Sequence, residues 1–251
     1  MADKAVITIE NLHKYFKVGN QNVPVLKGID LSIEEGGFSI IFGPSGCGKS
    51  TMLHIMLGLE NPSRGVVFFN GRDMYTGTSE DDRSDLRKEY VGMIYQQPNW
   101  IRSLRVFENV AFPLLLLGEE NEIAFKKAEE VLASVEMIDW ANYIPTELSS
   151  GQQQRVSLAR ALVTNPKIII ADEPTGNLDY ESGQSLMELL EKLNQNLGKT
   201  VIMATHDLEY LEFAKTAIRM FDGKITGVYK GGDKDTILDE VKSKRSKGKK
   251  G

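Results

Sequence analysis

Cysteine is almost missing from this chain of 251 residues. Cys47 stands alone, which excludes an internal disulfide and suits a reducing compartment. Long hydrophobic runs are missing too. The longest, Val110 to Leu117, is broken by Pro113 and falls far short of the ~20 residues that span a bilayer. There is no excess of basic residues: 30 Lys and Arg face 35 Asp and Glu, and the net charge of −5 gives no overall pull toward nucleic acid or anionic lipid. Histidine is scarce, and His13 and His54 have no partners at metal-ligand spacing. The opening does not read as a signal peptide, because Met1-Ala2-Asp3-Lys4 runs straight into the strand-like Ala5 to Ile9. The expectation is a cytosolic protein that reaches a membrane only through another protein. What is present is ordinary for a globular chain. With 41% hydrophobic and 26% charged residues, it can bury a large core in one domain with an inserted lobe, or in two small ones.

Apolar, β-rich runs alternate with helical patterns. Phe38 to Phe42, Val91 to Tyr95, Ile168 to Ala171 and Val201 to Ala204 are short and continuously hydrophobic, as strands buried on both faces of a parallel sheet should be. Lys49 to Leu57, Gln152 to Val163 and Gln184 to Leu197 read as helices. This alternation predicts a doubly wound α/β domain. The opening differs: Ala5 to Ile9, Pro24 to Ile33 and Val66 to Phe69 read as an antiparallel layer, with turns at Glu35-Gly36-Gly37 and Asn61-Pro62-Ser63. From Pro98 to Asn165 the strand signal gives way to helices, including Val106 to Leu116 and Ile123 to Val135. The predicted division is therefore a core of residues 1–97 and 166–231 with a helical lobe, 98–165, inserted into it. The charged stretch Ser79 to Glu89 reads as a solvated helix with Ser79 as its N-cap. Pro113 to Leu117 is either core or lobe surface.

Two strings carry phosphate chemistry. Gly43-Pro44-Ser45-Gly46-Cys47-Gly48-Lys49-Ser50 matches G-x-x-x-x-G-K-[ST], follows a strand and opens a helix. Its glycines let backbone N–H groups turn inward around phosphates, and the helix N-terminus adds partial positive charge. Lys49 would neutralise the β- and γ-phosphate oxygens, and the Ser50 hydroxyl would ligate Mg²⁺. Cys47 reads as a small residue whose backbone does the work. The strand Ile168 to Ala171 ends in Asp172-Glu173, and a buried strand seldom finishes on two acids unless a metal or proton is handled there. Asp172 is placed to hold the Mg²⁺ shell. Glu173 is placed to polarise an attacking water as general base or orienting acceptor.

Taken with the downstream string Leu148-Ser149-Ser150-Gly151-Gln152, these motifs resemble those of the ATP-binding subunits of ABC transporters, from about Ala5 to Tyr229. The resemblance implies ATP and Mg²⁺ as cofactors. The nucleotide would bind at Gly43, Ser45, Gly46, Cys47, Gly48, Lys49, Ser50 and Thr51, with Tyr15 or its neighbour Phe16 stacking on adenine. It implies that Gln96, or the adjacent Gln97, touches Mg²⁺ and the lytic water, and that His206 contacts the γ-phosphate. It also implies that Ser149, Gly151 and Gln152 form a signature loop facing the triphosphate of an opposite subunit, with Asp179 communicating across that dimer. Each chain would then carry two half-sites, completed by a second copy placed head to tail. One position departs from the family pattern: Ser150 stands where the first of two glycines is usual. Ser150→Gly is expected to keep or raise ATPase activity.

The strings Asp172 to Asp179, Tyr95-Gln96-Gln97 and Glu108-Asn109-Val110-Ala111 look most like the branch serving lipoprotein release, macrolide export and cell division. That implies an integral membrane permease as partner, attachment at the cytoplasmic face of the membrane, and no specific nucleic acid. The alternative is a soluble ABC-type ATPase acting on nucleic acid or the ribosome. The repair type needs a long inserted coiled coil, and nothing between Gln96 and Leu148 sustains heptads over such a length. Residues 232–251 form a basic tail, with six basic residues among the nine from Lys242 to Lys250. The stretch from Lys242 to Lys250 lacks apolar anchors, is expected to be disordered, and would be attracted to acidic headgroups.

Overall fold

The computed structural model describes residues 4–233 and 237, so the basic stretch from Lys242 to Lys250 lies outside the described residues. The chain divides into two compact units, Met1–Glu80 with Ile202–Gly251, and Asp81–Val201.

In the first unit, β1 (Ala5–Val18), β2 (Gln21–Glu34), β4 (Arg64–Phe69) and β5 (Arg72–Asp73) form an antiparallel sheet in the order β2-β1-β4-β5. β1 and β2 run well past the expected segments. The reason is a register shift between Ile9 and Leu12, where Asn11 takes a left-handed φ of 46°. Ile7 and Ile9 are buried before this bulge and Leu12 and Lys14 after it. A strict two-residue period would have turned Leu12 outward, so the bulge keeps one face on the core. The distal half, Tyr15 to Val18, is exposed, which is why no apolar alternation marks it in the sequence.

The unit's second layer has the order β10-β9-β3-β8. β3 (Phe38–Phe42) is buried throughout, as its continuous apolar run requires, and it pairs in parallel with β9 (Thr216–Phe221). β9 turns into β10 (Lys224–Lys230), its antiparallel neighbour. β8 (Thr200–Thr205), also buried along its length, carries the chain from the second unit into the first. β9 and β10 go beyond the expected elements, because Thr216, Arg219, Lys224 and Gly227 break any apolar run. α1 (Lys49–Met56) leaves the loop that follows β3.

The second unit contains α2 (Glu80–Tyr90), β6 (Val91–Tyr95), α3 (Val106–Leu116), α4 (Asn121–Ser134), α5 (Ser150–Leu162), β7 (Ile168–Asp172) and α6 (Tyr180–Leu197). β6 and β7 pair in parallel from Val91↔Ile168 to Tyr95↔Asp172. As its charge predicts, α2 buries no residue. The helical lobe closes on Val106, Val110 and Leu114 of α3, Ala124, Ala128 and Leu132 of α4, and Val156 and Ala159 of α5, all nearly free of solvent. Leu114 is therefore core, whereas Leu116 and Leu117 are exposed, so the stretch from Pro113 is divided between the two readings. α5 lies so close to β6 that a Cβ on Gly92 would come within 2.2 Å of the Ala161 carbonyl oxygen. This contact seats the C-terminal end of α5 against the start of β6. α6 begins four residues earlier than its apolar period suggests, because Asp179 caps a polar first turn.

Candidate functional site

In the first unit the phosphate loop joins β3 to α1. Its three glycines serve different ends. A Cβ on Gly43 would lie 2.0 Å from the Met220 carbonyl oxygen of β9, so only glycine lets the loop pass that strand. Gly48 sits at φ 104° with Leu26 and Met220 closing over it, while Gly46, at φ 78°, faces open space. Cys47 is buried; its N–H donates to the Pro44 carbonyl at 3.3 Å and its carbonyl accepts from Gly223 N–H at 3.1 Å. Both backbone groups of Cys47 are thus engaged within the unit. Helix α1 starts where Met52 N–H donates to the Gly48 carbonyl at 2.9 Å, which leaves the N–H groups of the first turn turned toward the loop. Lys49 is buried, and its ammonium donates to the carbonyls of Gly43 (3.0 Å) and Pro44 (3.3 Å). Ser45 is exposed, and Ser50 and Thr51 are half-buried at the start of α1.

Two further expected residues belong to this unit. Tyr15 and Phe16, adjacent on β1, are both exposed. The Tyr15 ring lies parallel to His13 with 6.2 Å between centroids, while the Lys14 ammonium sits 4.8 Å from the Phe16 ring centre. His206 is exposed just after β8. It is placed by the next residue, since the Asp207 carboxylate accepts from Glu209 N–H at 2.9 Å and Asp207 N–H donates to Thr205 Oγ1 at 3.0 Å.

The second unit gathers the rest. Because β6 and β7 pair through Tyr95↔Asp172, the residues that follow, Gln96 and Glu173, leave neighbouring strand ends. Glu173 takes a left-handed φ of 49°, an uncommon state for a residue with a Cβ, and Gly176 N–H closes the turn onto its carbonyl at 3.1 Å. It is the Gln96 amide that rests on this turn: a Cβ on Gly176 would come within 2.8 Å of Gln96 Nε2. Asp179, at the far end of the turn, caps α6. Its carboxylate accepts from Ser182 N–H and from Ser182 Oγ, each at 2.9 Å, and these bonds hold its pKa below the ordinary carboxylate value.

The signature loop is the N-terminus of α5. Ser149 is the N-cap: its hydroxyl accepts from Gln152 N–H at 3.3 Å, and Gln152 Oε1 accepts from Ser149 N–H at 3.0 Å, a capping box. The next residue, Ser150, is exposed. Gly151 is the constrained position, because a Cβ there would come within 2.8 Å of Ser182 Oγ. The signature glycine and the Asp179 cap thus meet on one serine of α6. Such a capped end presents its first-turn N–H groups and the positive end of the helix dipole outward, which suits an anion.

Sequence reasoning passed over the residues that hold this end in place. Trp100, Gln153 and Ser182 received no role, although three consecutive glutamines, Gln152 to Gln154, at the start of α5 were a visible signal. For Mg²⁺ the expected donors are the Ser50 hydroxyl, the Gln96 amide and the Asp172 carboxylate, all hard oxygens of the kind this ion takes. Among the described residues no group of three His, Cys, Asp or Glu could hold a metal by itself.

Residues 26–176 match the ABC transporter family. An uncharacterised ABC transporter ATP-binding protein of Methanocaldococcus jannaschii is 44% identical over 223 residues, covering 89% of this chain and 99% of the relative. The macrolide export ATP-binding/permease protein MacB of Bdellovibrio bacteriovorus is 43% identical over 220 residues, but the match spans only 33% of that longer protein. Among solved structures, the dimeric post-hydrolysis state of the ATP-binding cassette MJ0796, bound to ADP and Pi, superposes with a TM-score of 0.83 at 39% identity, covering 89% of this chain and 98% of that one. The phosphate loop, the acidic strand end and the capped signature loop therefore have one common explanation: the chain belongs to the ABC transporter ATP-binding family.

Proposed function

We propose that this chain is the ATP-hydrolysing subunit of a membrane transporter and that it works as a head-to-tail dimer around two ATP molecules. Lys49, Ser50, Thr51 and the backbone of Gly43 to Gly48 hold the triphosphate, with Tyr15 against the base. Ser149, Gly151 and Gln152 of the opposite copy meet its γ-phosphate. Glu173 accepts a proton from the attacking water or orients it, while Gln96 and His206 position water and phosphate. Ser50, Gln96 and Asp172 would hold Mg²⁺, which neutralises phosphate charge when bound. Closure of the dimer follows from the higher affinity of ATP for the closed state, and loss of the γ-phosphate removes what joins the halves.

The observation that carries this reading is the presence, in one chain, of a glycine-walled phosphate loop and a second capped helix N-terminus at Ser149. The dimeric ADP and Pi complex of MJ0796 supports the assembly and the reaction. The name of MacB, which joins an ATP-binding part to a permease, supports an integral membrane partner and export as the output; lipoprotein release and mechanical signalling across the membrane use the same stroke. Among the described residues no helix is long and apolar enough to cross a membrane, so the chain would be held at the cytoplasmic face by that partner. The test is Glu173→Gln. Slowing hydrolysis by about 10²–10⁴-fold, the contribution of a general base, should trap an ATP-dependent dimer on gel filtration. A monomer at saturating ATP, or turnover stimulated by nucleic acid instead of by a membrane partner, would count against the reading.

A further inference from the structure

The loop that follows Gln96 and the head of α5 are tied by side chains that the reaction itself does not use. Gln154 is buried, and its amide donates to the carbonyls of Tyr95 (3.1 Å) and Gln96 (2.8 Å). One turn below the Ser149 cap, Gln153 reaches in two directions. Its Oε1 accepts from the Trp100 indole N–H at 2.9 Å, and its Nε2 donates to the Leu148 carbonyl at 3.0 Å. Two turns further along the same face, the Arg160 guanidinium lies 4.6 Å from the centre of the Trp100 ring and donates to the Asn99 carbonyl at 3.1 Å.

These contacts bear on a single peptide plane. The Leu148 carbonyl is held by Gln153, and the N–H of the same peptide unit, that of Ser149, is held by Gln152 Oε1 at 3.0 Å. With both ends bonded, the plane that enters the signature loop cannot swing. The direction of the Gln153 amide follows from chemistry. An indole N–H only donates, so it requires the amide oxygen, and the amide NH₂ is thereby turned toward the Leu148 carbonyl. Without that N–H the amide keeps the Leu148 carbonyl as its partner at one end and loses the anchor at the other.

We propose that Trp100 and Gln153 are a positioning pair that sets the signature loop and locks it to the Gln96 segment, so that the two phosphate-facing elements of the second unit move as one body. The consequence for ATP rests on the function proposed above, but the tie exists in the nucleotide-free protein and can be tested there.

Trp100→Phe keeps an aromatic ring near Arg160 but removes the N–H together with the pyrrole ring that carries it; Gln153→Leu deletes both bonds. Amide hydrogen exchange of nucleotide-free protein should accelerate about 5-fold over residues 148–153 in Trp100→Phe, as loss of one net hydrogen bond implies, with residues 43–51 unchanged. The double variant should exchange no faster than Gln153→Leu, because the two substitutions break one chain of contacts. In a Glu173→Gln background, Trp100→Phe should weaken ATP-dependent dimerisation by a similar factor while ATP affinity of the monomer stays the same. Unchanged exchange at 148–153, or effects of the two substitutions that simply add, would overturn the pairing. If the parent never dimerises, the proposed function fails, and the exchange data still decide the pairing.

Discussion

The two loops proposed to face phosphate are built on opposite plans. The loop from Gly43 to Ser50 is held by backbone and by missing side chains: Gly43 clears the Met220 carbonyl, Gly48 fits beneath Leu26, and Cys47 bonds through its own carbonyl and N–H. The loop from Leu148 to Gln152 is held by side chains: Gln152 and Gln153 bond its backbone, Trp100 holds Gln153, and Ser182 packs against Gly151. A backbone cradle has little freedom in its sequence and so reads as a motif. A loop propped by side chains takes its geometry from partners dozens of residues away. The contrast suits their proposed tasks, since the first loop grips a nucleotide whereas the second has to arrive at one.

Substitutions can separate these plans. Gly43→Ala should do the most damage, because its methyl would meet a carbonyl oxygen at 2.0 Å and neither backbone can yield cheaply. A loss of about 1–3 kcal/mol is expected, read as a melting temperature lower by several degrees together with weakened ATP binding. Gly151→Ala should cost less, since its obstacle at 2.8 Å is a serine hydroxyl, and Ser182→Ala or Ser182→Gly should restore part of the loss. Equal damage from both glycine substitutions, with no rescue at Ser182, would erase the distinction.

A smaller effect is expected from pH. Hydrogen bonds from Ser182 lower the Asp179 pKa from its usual 3.8. A depressed carboxylate value means that the cap's contribution is complete above 3.8 and is lost as pH falls through the lower, folded value. Amide exchange in the first turn of α6 should therefore show an acid-dependent loss of protection in the parent that is absent in Asp179→Asn, which caps without titrating. The smallest effect belongs to Ser150→Gly. Ser150 is exposed on the first residue of α5, so ATPase activity should hold or rise slightly. A collapse in turnover would give its hydroxyl a role.

Most of the core was legible in the sequence because continuous apolar strands have few other uses. β3, β6, β7 and β8 fall where Phe38 to Phe42, Val91 to Tyr95, Ile168 to Ala171 and Val201 to Ala204 place them. The long β1–β2 ribbon was only half visible, since its bulge at Asn11 breaks the period of two and its outer half is exposed. β9 and β10 were hidden by their polar and small residues. In the candidate site, the phosphate loop and the acidic strand end could be read directly from residue chemistry. The signature loop, Gln96, Asp179 and His206 were reachable only through family resemblance, because each acts from an ordinary polar residue whose surroundings decide its use. The props beneath the signature loop had no motif at all. Trp100 and Gln153 are separated by 53 positions, and only folding brings the indole N–H to the amide.

The central claim is that each chain carries two incomplete halves of an ATP site. Its most direct test mixes two disabled chains in a Glu173→Gln background, one with Lys49→Ala and the other with Ser149→Arg. Alone, neither should form an ATP-dependent dimer. Together, the intact phosphate loop of one should meet the intact signature loop of the other, giving a mixed dimer that retains a single nucleotide on gel filtration. A mixture that stays monomeric at saturating ATP, or a Ser149→Arg chain that dimerises unaided with two nucleotides bound, would contradict it.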